Sequence, residues 1–393
     1  MNLNQEFKDF IRMHEADDIR KLALQSARFP YINMQDAIRQ IQGRKIAKEK
    51  VPFWYSSEDI IYPKHISLEQ SSSEHTALYK IGLAKGISIV DLTGGMGVDI
   101  SFFARNFDHA VYVERQTELV DLAAHNFKAL DLPNIAVVNK DAVDYLQSMP
   151  VADLIYIDPA RRDNVGNKTV RIEDCTPNIL EIEQLLEDKG VRIMIKLSPM
   201  LDISLATRSL KNISEVHIVS VNNECKELLF IKDKMTAGDP TYHCVNIRKN
   251  NTDIFSYKRQ EEESVEIPYT ANVGKYLYEP NSSLIKAGAY KIVAQKYDIK
   301  KLHPNSHLYT SDAYSKDFQG RKFVVQGVCT LNKKDIKDHL SVVKNANITV
   351  RNFPLSPPDV RKRLKIAEGG DTYIFATTLA DEKKVLIICR KSD

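Results

Sequence analysis

ISIVDLTGGMGVDISFFARNF, residues 87–107, is the stretch whose reading decides the fold. Its first seven residues form a short β-branched run, the pattern of a buried strand, ending at Thr93. Gly94, Gly95 and Gly97 then permit a tight turn and a close approach of backbone to a ligand, and the apolar residues that follow recur at helical spacing. Outward from this unit the alternation continues. Strands are expected at HAVYVE (109–114), IAVVNKD (135–141), ADLIYID (152–158) and RIMIKLS (192–198), with the helix QTELVDLAAHNFKAL between the first two. Nearly continuous apolar strands separated by helices predict a parallel sheet covered on both faces. EVHIVSVNNECKELLFIKD (215–233) predicts two strands around the turn Asn222–Asn223, so the sheet should end in an antiparallel hairpin.

Both flanks differ from this centre. Phe7, Phe10 and Ile11, then Ile19, Leu22 and Ala23, have helical spacing, and Asn33 can cap a further helix through Ala37, Ile38 and Ile41. After Gly238-Asp239-Pro240, YHCVNIRKNNTDIFSYK predicts a hairpin and SSLIKAGAYKIVAQKY a helix. From residue 321, the strands FVVQGVCTL, ITVRNF, TYIFATT and KVLIICR accompany the helices KKDIKDHLSVV and PPDVRKRLKI. The expected division is a helical region over 1–80, an α/β domain over 81–237, a small α+β domain over 238–310 and a second α+β domain over 311–393.

With 393 residues, 43% hydrophobic and 27% charged, the chain has the balance of a globular protein of more than one domain. No run approaches the roughly 18 apolar residues of a membrane-spanning helix. The amino terminus lacks the apolar core of a secretory signal. Five cysteines, an odd number without a CxxC pair, argue for a reducing cytoplasm and against a zinc ribbon or a disulfide framework, and no metal is expected. The net charge of +3 is unevenly spread: −6 over residues 81–235 and +7 over 321–393. The basic segment is either ordinary surface or an appendage suited to a phosphate backbone.

Three carboxylates end successive strands. Glu114, twenty residues after Gly94, can accept both hydrogen bonds of a ribose diol, or can simply be a solvated strand end. Asp141 can accept the exocyclic amine of an adenine, or cap the helix that follows. Asp158 opens Asp-Pro-Ala-Arg-Arg, where a carboxylate faces the crevice outside the strand ends and Pro159 shapes the turn.

In this order and spacing, VDLTGGMGVD, Glu114, Asp141 and IDPAR resemble the motifs of class I S-adenosylmethionine-dependent methyltransferases, over about residues 70–235. LEQSSSEHTALYK looks like the helix that precedes the glycine motif in several RNA methyltransferases. VRNFPLSPPDVRKRLKIAEGGDTYIFATT resembles the THUMP-like domain attached to a bacterial group of these enzymes. The resemblance implies an α/β, Rossmann-like methyltransferase domain with an N-terminal helical cap and a C-terminal α+β region, ferredoxin-like and THUMP-like. It implies S-adenosyl-L-methionine as cofactor, bound by Asp91, Thr93, Gly94, Gly95, Gly97, Glu114 and Asp141, with Asp158 and Pro159 catalytic. Arg161, Arg162 and Lys196 are candidates for holding substrate; the alternative for the two arginines is salt bridges to Glu173 and Asp174.

The departures narrow the acceptor. Ala160 and Arg161 replace the second proline and the aromatic residue that base-amine methyltransferases use to stack on their target. Asp-Pro-Ala-Arg resembles the uracil carbon-5 enzymes of RNA, but these need a cysteine nucleophile after strand five, where this chain has Lys196-Leu197-Ser198-Pro199. Cys175 is not expected to take that role. DLTGGMGVD is also similar to the guanine-N2 methyltransferases of small-subunit ribosomal RNA. The expected activity is therefore methyl transfer by direct displacement to a base nitrogen of RNA, tRNA or rRNA. A small-molecule methyltransferase and a non-catalytic RNA-binding adaptor are the alternatives. No membrane partner is expected, and oligomeric state is not legible.

Overall fold

The computed structural model describes residues 3–63, 71–161, 171–234 and 238–392, with residue 161 described by its backbone alone. The chain forms two compact units, Met1–Ser214 with Glu227–Gly238, and Glu215–Lys226 with Asp239–Asp393.

The first unit begins with helices α1 (Gln5–His14), α2 (Ile19–Leu24), α3 (Met34–Lys50) and α4 (Pro52–Tyr55). Asn4, Asp18 and Asn33 start the first three by accepting hydrogen bonds from otherwise unsatisfied first-turn amides, and Pro52 starts the fourth, where its missing N–H costs nothing. Their apolar stripes close on one another through Phe7, Phe10, Leu22 and Ile41. Helix α5 (Glu74–Leu83), capped by Ser73, leads into strand β1 (Ser88–Asp91). There follow α6 (Val98–Phe103), β2 (His109–Glu114), α7 (Thr117–Ala129), β3 (Ile135–Asn139), α8 (Ala142–Ser148) and β4 (Ala152–Ile157). A two-stranded ribbon, β5 (Ala160–Arg161) with β6 (Cys175–Thr176), precedes α9 (Ile179–Lys189), β7 (Gly190–Leu197), α10 (Ile203–Ser209), β8 (Ile213–Val221) and β9 (Glu224–Asp233).

Within this unit the strand order is β9-β7-β4-β1-β2-β3, parallel except for β9 against β7. From β1 the sheet grows toward β2 on one side and β4 on the other. The carboxyl ends of β1 and β4 therefore flank a topological switch point, where the crevice of an open α/β sheet lies. Ile89, Leu154, Tyr156 and Met194 pack with Ile100, Phe103 and Phe127 from the helices. Trp54 packs with Met96 and Phe102, and its indole N–H donates to Ser101 Oγ at 3.0 Å.

In the second unit, β8 pairs in parallel with β10 (Thr241–Arg248), which pairs antiparallel with β11 (Asn251–Lys258). After α11 (Arg259–Ser264) come β12 (Tyr276–Pro280), α12 (Ser282–Ala287), α13 (Lys291–Lys296), β13 (Lys300–Lys301) and β14 (Tyr309–Ser311). The chain ends with β15 (Gly320–Cys329), α14 (Lys333–Leu340), β16 (Asn347–Arg351), α15 (Pro357–Leu364), β17 (Thr372–Thr378) and β18 (Lys384–Lys391). These strands make one sheet of order β13-β14-β12-β15-β18-β17-β16.

One expectation is corrected here. SSLIKAGAYKIVAQKY is two helices, because Gly288 at φ +74° ends α12 with a left-handed cap. The boundary expected at 237/238 lies one residue from the division of the units after Gly238, and the one expected at 310/311 falls within a single sheet. Residues 241–258 satisfy their backbone groups on β8, and β12 pairs with β15 across residue 310. Strand pairing decides which segments belong together, and hydrophobic periodicity carries no record of it. Among the described residues no helix is long and apolar enough to cross a membrane.

Candidate active site

The glycine turn sits on the ends of β1 and β2. The Gly94 N–H donates to Val113 O at 2.8 Å, and the Gly97 N–H donates to Gly94 O at 2.7 Å, closing the turn on itself. Gly95 and Gly97 have φ of +52° and +82°, the left-handed region that favours glycine. A Cβ on Gly94 would stand 2.2 Å from the Tyr112 ring, and one on Gly97 2.6 Å from the Phe127 ring. These two glycines let buried aromatic rings pack directly under the turn. Gly95 alone presents an open side, where a Cβ would approach nothing nearer than Thr93 O at 3.8 Å.

Glu114 is buried and holds the turn: one carboxylate oxygen accepts the Gly95 N–H at 3.0 Å, the other the Gln116 N–H at 2.8 Å. Each carboxylate oxygen keeps a further lone pair for another donor. Asp141 caps α8 by accepting the Val143 N–H at 2.9 Å, so the capping alternative is realised, with its second oxygen outside that bond. Asp91 lies fully buried and accepts the Thr93 N–H at 3.0 Å. Burial raises its carboxyl pKa well above the usual range; the Thr93 amide opposes this, and Asp99 and Asp158 reinforce it. Thr93 in turn accepts the Asp158 N–H on its Oγ1 at 2.7 Å, tying the end of β4 to the end of β1.

The Asp158 carboxylate forms an ion pair with Lys196 of β7. Burial would lower the Lys196 pKa, but Asp158, Asp99 and Glu227 outweigh it and hold the ammonium above its ordinary range. Lys196, expected as a substrate contact, is thus a partner of the proposed catalytic carboxylate. Pro159 is buried behind it. Arg162 lies outside the described residues, and the backbone of Arg161 pairs opposite Cys175. Cys175 is itself buried, its Sγ 3.8 Å from Arg171 O. Among the described residues no disulfide forms.

Sequence reasoning missed a second layer. Lys80 of α5 is completely buried, its Nζ 2.8 and 2.9 Å from the two Glu227 carboxylate oxygens, 3.1 Å from Ser72 Oγ and 3.2 Å from Asp99 Oδ1. The other Asp99 oxygen accepts from Ser72 Oγ and Tyr156 OH, each at 2.7 Å. Burial would raise the Asp99 pKa; Lys80 and Lys196 reverse this and lower it. The local signals were a lysine inside the apolar run ALYKIGL and an acid in the first turn of the apolar helix VDISFF. The lysine does not reveal its partner Glu227, 147 residues away.

Comparison with known proteins agrees with this geometry. A model of protein-L-isoaspartate(D-aspartate) O-methyltransferases matches residues 24–166, a ferredoxin-like domain model residues 276–318, and a THUMP domain-like model residues 320–391. The crystal structure of a "putative methyltransferase" from Porphyromonas gingivalis W83 is 34% identical over 100% of both chains, with a TM-score of 0.89. An rRNA methylase from Streptococcus thermophilus is 14% identical over 41% of this chain and 94% of its own, at a TM-score of 0.30. A precorrin-6y C5,15-methyltransferase from Geobacter metallireducens GS-15 is 14% identical over 41% and 87%, also at 0.30. No curated protein matches the chain. A methyltransferase-fold sheet followed by ferredoxin-like and THUMP-like regions is therefore common to this chain and the Porphyromonas gingivalis protein.

Proposed function

The chain belongs to the methyltransferase family represented by the Porphyromonas gingivalis structure, and from that premise we propose that it uses S-adenosylmethionine to methylate a base nitrogen of RNA. The observation that carries the reading is the convergence of Gly95, Glu114 and Asp158 on one end of the sheet, with Gly95 bonded to Glu114 and Asp158 tied to Thr93. The open side of Gly95 and the lone pairs left on the buried Glu114 fit a ligand that brings hydroxyl donors to the turn.

Bound there, S-adenosylmethionine would supply a methyl group on a sulfonium whose leaving group is neutral. Positioning can then provide most of the acceleration, on the order of 7–11 kcal/mol for well-oriented reactants. Glu114 holds the ribose hydroxyls, and the second oxygen of Asp141 meets the adenine amine. Asp158, with the Pro159 carbonyl, holds the acceptor N–H and stabilises the nitrogen as it becomes cationic. Lys196 fixes the Asp158 rotamer. Arg161 and Arg162 follow as phosphate contacts.

An RNA acceptor is supported by the second unit. An open groove of about 440 Å³ is lined by Phe353, Pro354 and Leu355 beside Arg363 and Lys384. An aromatic face next to cations suits a base and its phosphate. The test is incubation of the full chain with labelled S-adenosylmethionine and either total RNA or a small-molecule extract, followed by nucleoside analysis. Label on a base nitrogen supports the reading. Label confined to small molecules overturns the RNA acceptor, and absence of donor binding by calorimetry overturns the donor.

A further inference from the structure

Glu215, His217 and His243 meet on one face of the strands β8, β10 and β11. The register brings them there. His217 pairs across from His243, and His243 across from Ser256, so three strands contribute to one row. Glu215, two residues before His217, projects to the same face because side chains alternate along a strand. Its Oε2 is 2.8 Å from His217 Nε2 and 3.9 Å from His243 Nε2. One nitrogen or oxygen from each residue lies within 4.8 Å of the others. The imidazoles are stacked, with centroids 4.5 Å apart and planes at 18°.

The surroundings match what a metal-binding histidine needs. His243 Nδ1 is 2.8 Å from Ser256 Oγ, a hydroxyl that can accept its Nδ1–H when Nε2 serves as the ligand. Such a bond to the second ring nitrogen is the usual support of a ligating imidazole. His217 is buried, which holds its ring in place.

We propose that Glu215, His217 and His243 form a binding site for a divalent transition-metal ion, with zinc the best match. Two imidazole nitrogens and one carboxylate oxygen are the donor set of three-ligand zinc sites, which leave a fourth position for water or a further ligand. The set has too few oxygens for calcium or magnesium, and no thiolate to favour copper(I). Donor bonds of about 2.0–2.1 Å at tetrahedral angles separate donor atoms by about 3.3 Å. That value falls between the two Glu215 distances, and binding an ion requires one imidazole to turn out of the stack so that both Nε2 lone pairs point at it. The expectation of no metal rested on the missing CxxC pair; here the ligands lie 26 residues apart on paired strands, a spacing that no short motif records.

The full chain, stripped with a chelator, is titrated with zinc chloride by calorimetry and with cobalt(II) chloride by visible absorption. The expected result is one equivalent of each ion. Cobalt should give d–d bands without a thiolate-to-cobalt charge-transfer band. His243→Gln and Glu215→Gln, at partly exposed positions, should each weaken zinc at least tenfold while leaving far-ultraviolet circular dichroism unchanged. Ser256→Ala, which touches only the second ring nitrogen of His243, should weaken zinc by a smaller factor. Absence of zinc binding, a thiolate charge-transfer band, or parental affinity in both His243→Gln and Glu215→Gln overturns the site. Should either glutamine variant fold poorly, the cobalt spectrum of the parent and the Ser256→Ala affinity still decide.

Discussion

At the carboxyl ends of β1, β4 and β7 the first unit buries its charge: Lys80, Asp99, Glu227 and Lys196 lie inside, each against an opposite partner. On α14 and α15 the second unit does the reverse, with Lys333, Lys334, Lys337, Lys362 and Arg363 exposed. Even its buried Glu279 is met by two arginines, Arg321 and Arg351, that remain partly in solvent. Taking an ion out of water costs several kcal/mol, so buried charge persists only where geometry gives every charge a partner. Such a network is rigid and fits the placing of reacting atoms. Exposed charge costs little in folding and keeps its field for a ligand, at the mercy of salt.

Four substitutions and a charge reversal can break or sharpen this contrast. Asp158→Ala should lower the methyl-transfer rate at least about 100-fold while donor affinity stays within a few fold, because the proposed role of the residue is to serve the acceptor. Activity within tenfold of the parent, measured with labelled donor, would take Asp158 out of the catalytic role. Lys80→Met leaves Asp99 and Glu227 facing each other in the interior and should cost roughly 3–5 kcal/mol in urea unfolding. A loss below about 1 kcal/mol would mean that the buried charges relax into solvent, and the contrast between the units would fail. Glu114→Ala should weaken the donor by about 1.5–3 kcal/mol for each lost charged hydrogen bond. Unchanged affinity by calorimetry would free Glu114 of the ribose.

Reversal of Lys362, Arg363 and Lys365 to Glu should leave stability within about 0.5 kcal/mol, as exposed sites do. RNA affinity should fall, and the slope of log affinity against log salt should flatten by about 0.7 per lost phosphate contact. An unchanged slope would reduce the basic segment to ordinary surface. Arg361 is left intact because it donates to Ala346 O at 3.1 Å, and Lys365 lies past the end of α15 in a left-handed cap. Cys175→Ser should change the rate least, since attack by a base nitrogen needs no thiolate. Complete loss of activity would revive covalent catalysis at carbon 5.

What the chain determines by itself is local. Apolar runs became β1 to β4 and β7 to β9. Asn33 and Ser73 became helix caps, and the Asn222–Asn223 turn took positive φ at both residues. Each of these follows from the torsional preferences and hydrogen bonds of a few neighbouring residues. The placement of Glu114 and Asp158 at the ends of β2 and β4 was legible for the same reason. Tertiary structure alone decided the rest. That Gly94 and Gly97 make room for Tyr112 and Phe127, that Lys196 faces Asp158 and Lys80 faces Glu227, and that His217, His243 and Ser256 form one row depends on strand order and register. Those pairings join residues far apart in the chain, and the free energy that selects them comes from burial and from satisfying backbone groups across the whole sheet.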